Sequence, residues 1–396
     1  MPGHLIPKTW ESTPDLDAPA RYRRPCRYEA FVPDDLASFR LTLSAEAVGL
    51  VTEAEGAVRA LNAVAQPALA PLGWFLLRTE SIASSKVEGL QLGVRDLARA
   101  EARMETGGRR SGTAVEILAN IAAMETAITE AAAAPRFGQR EILAIHRRLM
   151  EHDIRSRIGG RFRTGQNWIG GNDYNPCGAD FVPPPVEEVP RLLDDLCHAV
   201  NGELLPTVVQ AALVHAQFET ILPFDDGNGR TGRALIHVVL RRRGVAPAYV
   251  PPISVILARG RTRYIEGLTL FRRDTVVGWI EQFSAATAES ANLARRYLAQ
   301  VEELMERWRR MLSDASRPRA DATAWAVIDV LPAHPVITAP VAAAATGRSK
   351  GPIYDGLAQL QDAGVLIPLS TSRRNQSWEA TGLLDLLEAL EQEGSK

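Results

Sequence analysis

Residues 223–233 read PFDDGNGRTGR, and the segments on either side of them constrain this chain more than any other feature. Asp-Gly and Asn-Gly are by themselves strong hairpin signals. The flanks argue against a hairpin. Upstream, PTVVQAALVHAQFETI opens on Pro206 and carries helical spacing. Downstream, TGRALIHVVL is apolar on a helical period and runs into Arg241, Arg242 and Arg243, then Gly244. Cations suit the last turn of a helix, and glycine suits the residue just past it. The glycine-rich piece therefore joins two helices, and its N–H groups open the second.

A helix mouth of this kind gathers unpaired N–H donors and the positive end of the dipole, which together bind anions. Gly227 and Gly229 let the backbone curl and approach a ligand. Asn228 is a candidate N-cap and a donor to phosphate. Arg230 and Arg233 are three apart and share one helix face, where two guanidinium forks suit two further phosphates. Asp226 supplies a carboxylate where Mg²⁺ bridging phosphates needs one. The Asp spacing and the absent twelfth-position Glu exclude an EF-hand. A phosphate site is the preferred reading over a plain helix–helix turn.

The chain has 396 residues, enough for two or three domains, and its 46% apolar content supports real cores. A net charge of −2 provides no global field toward nucleic acid or membrane. The three cysteines, Cys26, Cys177 and Cys197, form no CxxC pair. That spacing argues against a zinc knuckle or a disulfide framework and fits a reduced, cytoplasmic compartment. The start, MPGHLIPKTWESTPD, has no apolar core of a signal peptide, and no apolar run approaches the roughly 18 residues of a membrane helix. Residues 1–40 lack a period and read as an arm wrapped on the body. Helical patterning begins near Leu41. The stretch 161–190, RFRTGQNWIGGNDYNPCGADFVPPPVEEVP, departs from it and reads as a loose hairpin with apolar pieces at Trp168–Ile169 and Phe181–Val182.

LPFDDGNGRTGR, from Leu222 to Arg233, resembles the HPFx(D/E)GNGRxxR motif of the Fic family at every marked position except the first. IHRRLM (145–150), GRFRTGQNWIGG and FVPPP are similar to the segments leading to and forming that family's flap, and PPISVIL, YIEGL and WIEQF to its last core helices. The resemblance covers roughly residues 45–290. It implies transfer of AMP from ATP to a hydroxyl side chain of a protein. Asp226 would hold Mg²⁺. Asn228 and the loop amides would hold the α-phosphate, Arg230 the β-phosphate and Arg233 the γ-phosphate. The flap (Trp168, Ile169, Gly170) would pair with the target's backbone as an added strand.

In the family the motif histidine is the general base. Leu222 stands at that catalytic position and can neither accept nor donate a proton. Loss of general-base help costs on the order of 10²–10⁴ in rate. His215 lies about two helical turns upstream and His237 inside the second helix. Both read first as packed histidines, and Asp225 reads as solvent-facing. Two explanations of Leu222 stay open: a change in an otherwise active enzyme, or the natural state of a pseudoenzyme.

ESIASSKVEGL puts Glu88 just before Gly89, at the end of a helix that opens near Pro71. Read alone, Glu88 is a solvated surface carboxylate facing an unfavourable dipole end. Upstream of such a core, however, Ser84 through Gly89 matches the Fic inhibitory motif (S/T)xxxE(G/N). The match implies that Glu88 pairs with Arg233 and blocks the productive γ-phosphate pose. Beyond a linker at 313–321, three helices and a short hairpin resemble a winged helix, with Arg348, Lys350, Arg373 and Arg374 as the cations that DNA phosphates would meet. The recognition helix of that unit also carries Asp355 and Asp362, so DNA and a protein both stay open as its partner.

The expected architecture is all-α: a Fic-type helical core with a β-hairpin flap, plus a C-terminal winged-helix domain. The expected divisions are an arm (1–40), an N-terminal helical region with the inhibitory helix (41–105), the core (106–290), a connecting helix and linker (291–320) and the winged helix (321–396). The expected function is a self-inhibited protein adenylyltransferase, impaired at Leu222, using ATP and Mg²⁺ on a hydroxyl-bearing protein that includes itself as a candidate. The competing reading is an inactive nucleotide-binding regulator acting through its winged helix on DNA or a protein. No membrane partner is expected, and self-association is an expectation by resemblance.

Overall fold

The computed structural model describes residues 3–11, 17–64, 70–105, 112–153, 156–369 and 376–393. In chain order it contains strands β1 (Gly3–Trp10) and β2 (Cys26–Pro33), then helices α1 (Ala45–Ala63), α2 (Ala70–Val87), α3 (Val94–Glu105) and α4 (Gly112–Thr126). Helices α5 (Gln139–Leu149), α6 (Val189–Asn201), α7 (Thr207–Ile221), α8 (Asn228–Arg242), α9 (Ile253–Arg259), α10 (Arg261–Arg272) and α11 (Val276–Ser316) follow. The chain closes with α12 (Thr323–Val330), β3 (Val336–Thr338), α13 (Ala339–Thr346), α14 (Lys350–Asp362), β4 (Leu366–Pro368), β5 (Ser377–Ala380) and α15 (Leu383–Glu393). The all-α expectation holds. Contacts group the chain into two units: residues 1–56, 122–245 and 260–287, and residues 57–121, 246–259 and 288–396.

The first unit is organised by α7, which is buried at every position from Thr207 to Ile221. A helix buried on all sides belongs in the middle of a bundle. Helix α8 runs along α7, and α5 and α6 cover the pair with amphipathic faces. Trp279 of α11, fully buried, donates its indole N–H to the Ala212 carbonyl at 2.9 Å. Past α8, Gly244 takes φ +67 as the sequence predicts, and Val245 N–H closes on Leu240 O at 3.0 Å. The arginines before it act on other segments. Arg242 donates to the carbonyls of Ala132 and Ala134, and Arg243 to Gln210 Oε1 and Leu205 O. Each neutralises backbone left open elsewhere.

Two expectations for this unit need correction. The arm is a regular antiparallel hairpin, with β1 paired to β2 from Gly3↔Pro33 to Trp10↔Cys26. Its alternation is masked in the sequence by Pro7 and Arg27 on the exposed face and by Lys8 between Ile6 and Trp10 on the other. Moreover, Cys26 and Cys177 are joined in a disulfide, leaving Cys197 as the buried free thiol. Local cysteine spacing cannot show this pair, whose members are 151 residues apart.

In the second unit α2 packs against α9. Glu80, fully buried, accepts the Ser254 N–H at 2.8 Å and its hydroxyl at 2.5 Å, a carboxylate at the favourable end of α9. Asn120 donates to Ser81 O at 2.7 Å, and Phe75 stacks on Tyr297 with centroids 4.8 Å apart. The C-terminal part holds an antiparallel sheet in the order β3-β5-β4 over α12, α13 and α14. Arg95 of α3 ties α15 and the sheet down through Glu379, Asp385 and Glu388. Strand β3 and helix α15 were not expected. The anticipated basic tip, Arg373–Arg374, lies outside the described residues. The boundary expected at 290/291 falls inside α11, which runs without a break. No helix among the described residues is long and apolar enough to cross a membrane.

Candidate functional site

Helix α7 stops at Leu222, whose N–H still reaches Phe218 O at 3.0 Å while its backbone turns left-handed (φ 46, ψ 62). A branched apolar residue has no local reason to adopt that conformation. The surroundings impose it. Arg163, 3% exposed, donates Nε to Leu222 O at 2.8 Å and a terminal nitrogen to Pro184 O at 2.5 Å. Its other terminal nitrogen donates to Gly165 O at 2.9 Å, and its N–H to Pro223 O at 2.9 Å. One buried cation thus satisfies the open end of α7 and both stems of the flap. Burial pulls its pKa down to about 10, opposed by the Asp225 carboxylate.

The loop itself is fixed from inside. Asn228 accepts the Phe224 N–H at 2.9 Å and donates its amide to Phe224 O at 2.8 Å. This corrects the expected N-cap. Gly227 holds that position with φ +77, and Asn228 is the first helical residue, clamping the turn. Phe224, fully buried, stacks on His146 at 3.6 Å between centroids. His146 Nδ1 accepts the Gly160 N–H at 3.1 Å, so its Nε2 carries the proton and donates to Asp226 O at 3.0 Å. Burial is the main reason its pKa falls to about 4. A side chain at Gly227 would meet Leu149 at 2.9 Å and His146 at 3.3 Å, so glycine is required there twice over.

What this frame presents is a helix mouth with cations behind it. Arg230 is 5% exposed, and its Nε is buried with no hydrogen-bond partner, as is Thr231 Oγ1. Buried donors left open are costly unless something arrives to pair with them. Arg233 is fully buried one turn further on, and Gly229 and Asn228 are partly exposed at the mouth. Asp226 is half-exposed and accepts the Gly227 N–H at 2.7 Å. Among the described residues no group of three or more metal-ligating side chains occurs. Mg²⁺ held by one carboxylate and phosphate oxygens needs none. The residues present therefore fit a nucleotide polyphosphate with its cation.

The structure brings Leu222, Asp226, Gly227, Asn228, Gly229, Arg230 and Arg233 into one loop–helix corner. The flap is tied to the same corner by Arg163 and by Asn167, whose amide donates to Phe224 O at 2.8 Å. In the flap, Ile169 pairs with Phe181, and Gly170 turns left-handed at φ +75. Trp168 folds back onto Asn172 O at 2.6 Å. Ser84 and Glu88 belong to the other unit. There Ser84 is buried, Glu88 is exposed just past α2, and Gly89 (φ +86) closes the helix. His215 is fully buried, bonded to Tyr264 Oη at 2.9 Å, with its pKa drawn down to about 3 by burial and then by the charge of Arg233. Asp225 is exposed. Arg163, His146 and Asn167 hold the site together, yet periodicity marks none of them. Their only signal was membership in segments of family-like appearance.

These features define a helical protein with a helix mouth backed by arginines next to a small flap. Residues 136–240 match the model of the Fic/DOC family, and residues 48–129 that of the Fic/DOC family N-terminal region, so the chain carries a Fic/DOC domain with its N-terminal region. Among curated proteins it is 29% identical over 196 residues to the protein adenylyltransferase Fic of Drosophila virilis, covering 49% of this chain and 37% of the relative. It is 30% identical over 157 residues to that of Drosophila mojavensis, covering 39% and 28%. The chain thus spans well under half the length of these relatives. Among solved structures, a Fic family protein from Desulfovibrio desulfuricans superposes with a TM-score of 0.53 at 20% identity, over 86% of this chain and 98% of that one. Fic-1 from C. elegans gives 0.51 at 22% identity, over 65% and 74%. These last two likenesses speak to the fold.

Proposed function

We propose that the chain is a Fic-type adenylyl-transfer scaffold that binds ATP with Mg²⁺ at 226–233, is restrained by Glu88, and is impaired in transfer because Leu222 replaces a base. The buried, unpartnered Nε of Arg230 behind the helix mouth carries this reading, since it asks for an anion from outside. Gly227, Asn228 and Gly229 turn the α8 amides toward the α-phosphate, and Arg230 and Arg233 take the outer phosphates. Mg²⁺, when bound at Asp226, would neutralise phosphate charge. An acceptor hydroxyl laid along the flap attacks the α-phosphorus. The new O–P bond forms as the bond to pyrophosphate breaks, and the hydroxyl proton must leave. Leu222 offers that proton no acceptor. His215 does not substitute, being sealed against Tyr264. In this reading Glu88, just past the end of α2, is the restraint that must be displaced.

Leu222 also favours a second reading, a nucleotide-responsive regulator that transfers nothing. Its C-terminal three-stranded sheet and helices, a winged helix in this reading, would engage DNA or a protein. Incubation with labelled ATP separates the two. The unaltered chain labels weakly or not at all. Leu222→His, and more so Leu222→His with Glu88→Gly, should label itself or an added protein by on the order of 10²-fold more. Bound ATP without label in the double variant would favour the regulator. Absence of ATP uptake by the Glu88→Gly chain in calorimetry would end both.

A further inference from the structure

We infer that the N-terminal hairpin is a covalently latched part of the surface on which an extended polypeptide segment docks, and that a dithiol reductant loosens this surface by opening Cys26–Cys177. The inference deepens the proposed function by adding regulation of the acceptor side.

The flap has little strand pairing of its own. Its internal pairing is one bridge, Ile169 with Phe181, and isolated two-stranded hairpins are marginal in water. The arm supplies what is missing. Phe31 of β2 donates its N–H to Val182 O at 2.9 Å. Tyr22 stacks on Tyr174 at 5.2 Å and accepts the Asn175 amide at 3.0 Å. Trp10 meets Trp168 edge-on at 5.8 Å, and Lys8 pairs with Glu187 at 2.5 Å. The disulfide then fixes the start of β2 to the flap's tip loop.

The direction of these bonds says which edge remains for a partner. Peptide groups alternate sides along a strand. Phe181 exchanges both of its backbone bonds with Ile169, while the Val182 carbonyl turns the other way, to Phe31. The return strand is therefore occupied on both sides. The outer edge is Trp168–Gly170, where Ile169 is 43% exposed. An extended segment adds to that edge, and the arm behind keeps the edge straight. Cys26 and Cys177 are both partly exposed, within reach of a reductant, whereas Cys197 is buried. In the reaction the dithiol gives up two electrons and two protons and closes to its own disulfide. The Cys26–Cys177 bond breaks, and each sulfur leaves as a thiol. The arm is then held by noncovalent contacts alone.

The test uses the full chain, oxidised and after treatment with dithiothreitol, with Cys26→Ser and Cys177→Ser beside it. Thiol titration in denaturant should find one thiol before reduction and three after. Amide exchange at Ile169 and Phe181, whose N–H groups form the flap bridge, should quicken at least about tenfold on reduction. Each serine variant should show the fast rate without reductant and no further response. Affinity for Mg·ATP should stay within about twofold throughout, because the helix mouth does not depend on the latch. Three thiols in the untreated chain, or unchanged exchange once three thiols are shown, would overturn the inference. Failure of every form to bind ATP would count against the nucleotide reading, and the exchange comparison would still decide the latch.

Discussion

Replacing Arg163 by Met isolates the residue that holds the loop–helix corner to the flap. Methionine keeps the apolar stem and removes the donors. The carbonyls of Leu222 and Pro184 then lie buried without their charged partner, at about 1–3 kcal/mol each. Gly165 is exposed, so water replaces its lost bond at little cost. One term works in the opposite direction. A guanidinium whose pKa burial has lowered from 12.5 to about 10 is dehydrated, and deleting it recovers part of that cost. Breaking one side of a buried charged network usually outweighs that relief. The expected net loss is about 2–4 kcal/mol for the unit that contains α7. Native-state exchange of the Leu222 amide, bonded to Phe218 O, reports this unit directly as urea is raised. Arg161→Met, at an exposed neighbour, is the control and should change stability by less than about 0.5 kcal/mol. A loss below about 1 kcal/mol in Arg163→Met, or one matched by the control, would refute the role given to this side chain.

Gly227→Ala places a methyl group 2.9 Å from Leu149 at a backbone angle of φ +77. It should cost about 2–3 kcal/mol in urea unfolding and weaken ATP uptake more than about tenfold in calorimetry. His215 should make stability fall in acid. Its folded pKa is about 3 against an ordinary 6.5, so below pH 6.5 the unfolded chain takes up a proton that the folded chain refuses. This contribution is intact above pH 6.5 and is lost as pH falls toward 3, at up to about 1.4 kcal/mol per pH unit. His215→Gln, which can keep the bond to Tyr264, should flatten the acid limb of a stability–pH curve by that slope.

Much of the corner was legible in the sequence because its requirements are local. Gly227 and Gly244 stand where the backbone turns left-handed, and the apolar run 207–221 carries the helix it announces. Asn228 was misjudged because two roles share one residue type. An asparagine at a helix start caps it when the preceding residue permits, but here Gly227 takes the turn and the asparagine clamps Phe224. The hairpin of β1 and β2 escapes notice because Lys8 interrupts its inward face between Ile6 and Trp10, and only Ala30, Val32 and Pro33 are buried. His146 was invisible for a different reason. Its worth lies in one stacked ring and two hydrogen bonds to residues 14 and 80 positions away.

By itself the sequence determined that this chain builds helices around a glycine-rich turn followed by arginines, and that a hydrocarbon, Leu222, stands at the head of that turn. Those properties follow from backbone freedom, periodicity and side-chain chemistry, each of which acts within a few residues. Tertiary structure alone decided that Arg163 would satisfy carbonyls from three segments, that Cys26 would meet Cys177, and that the Arg230 Nε would be buried unpaired. Such facts depend on which distant groups are brought together and which are cut off from water, and no local pattern encodes either.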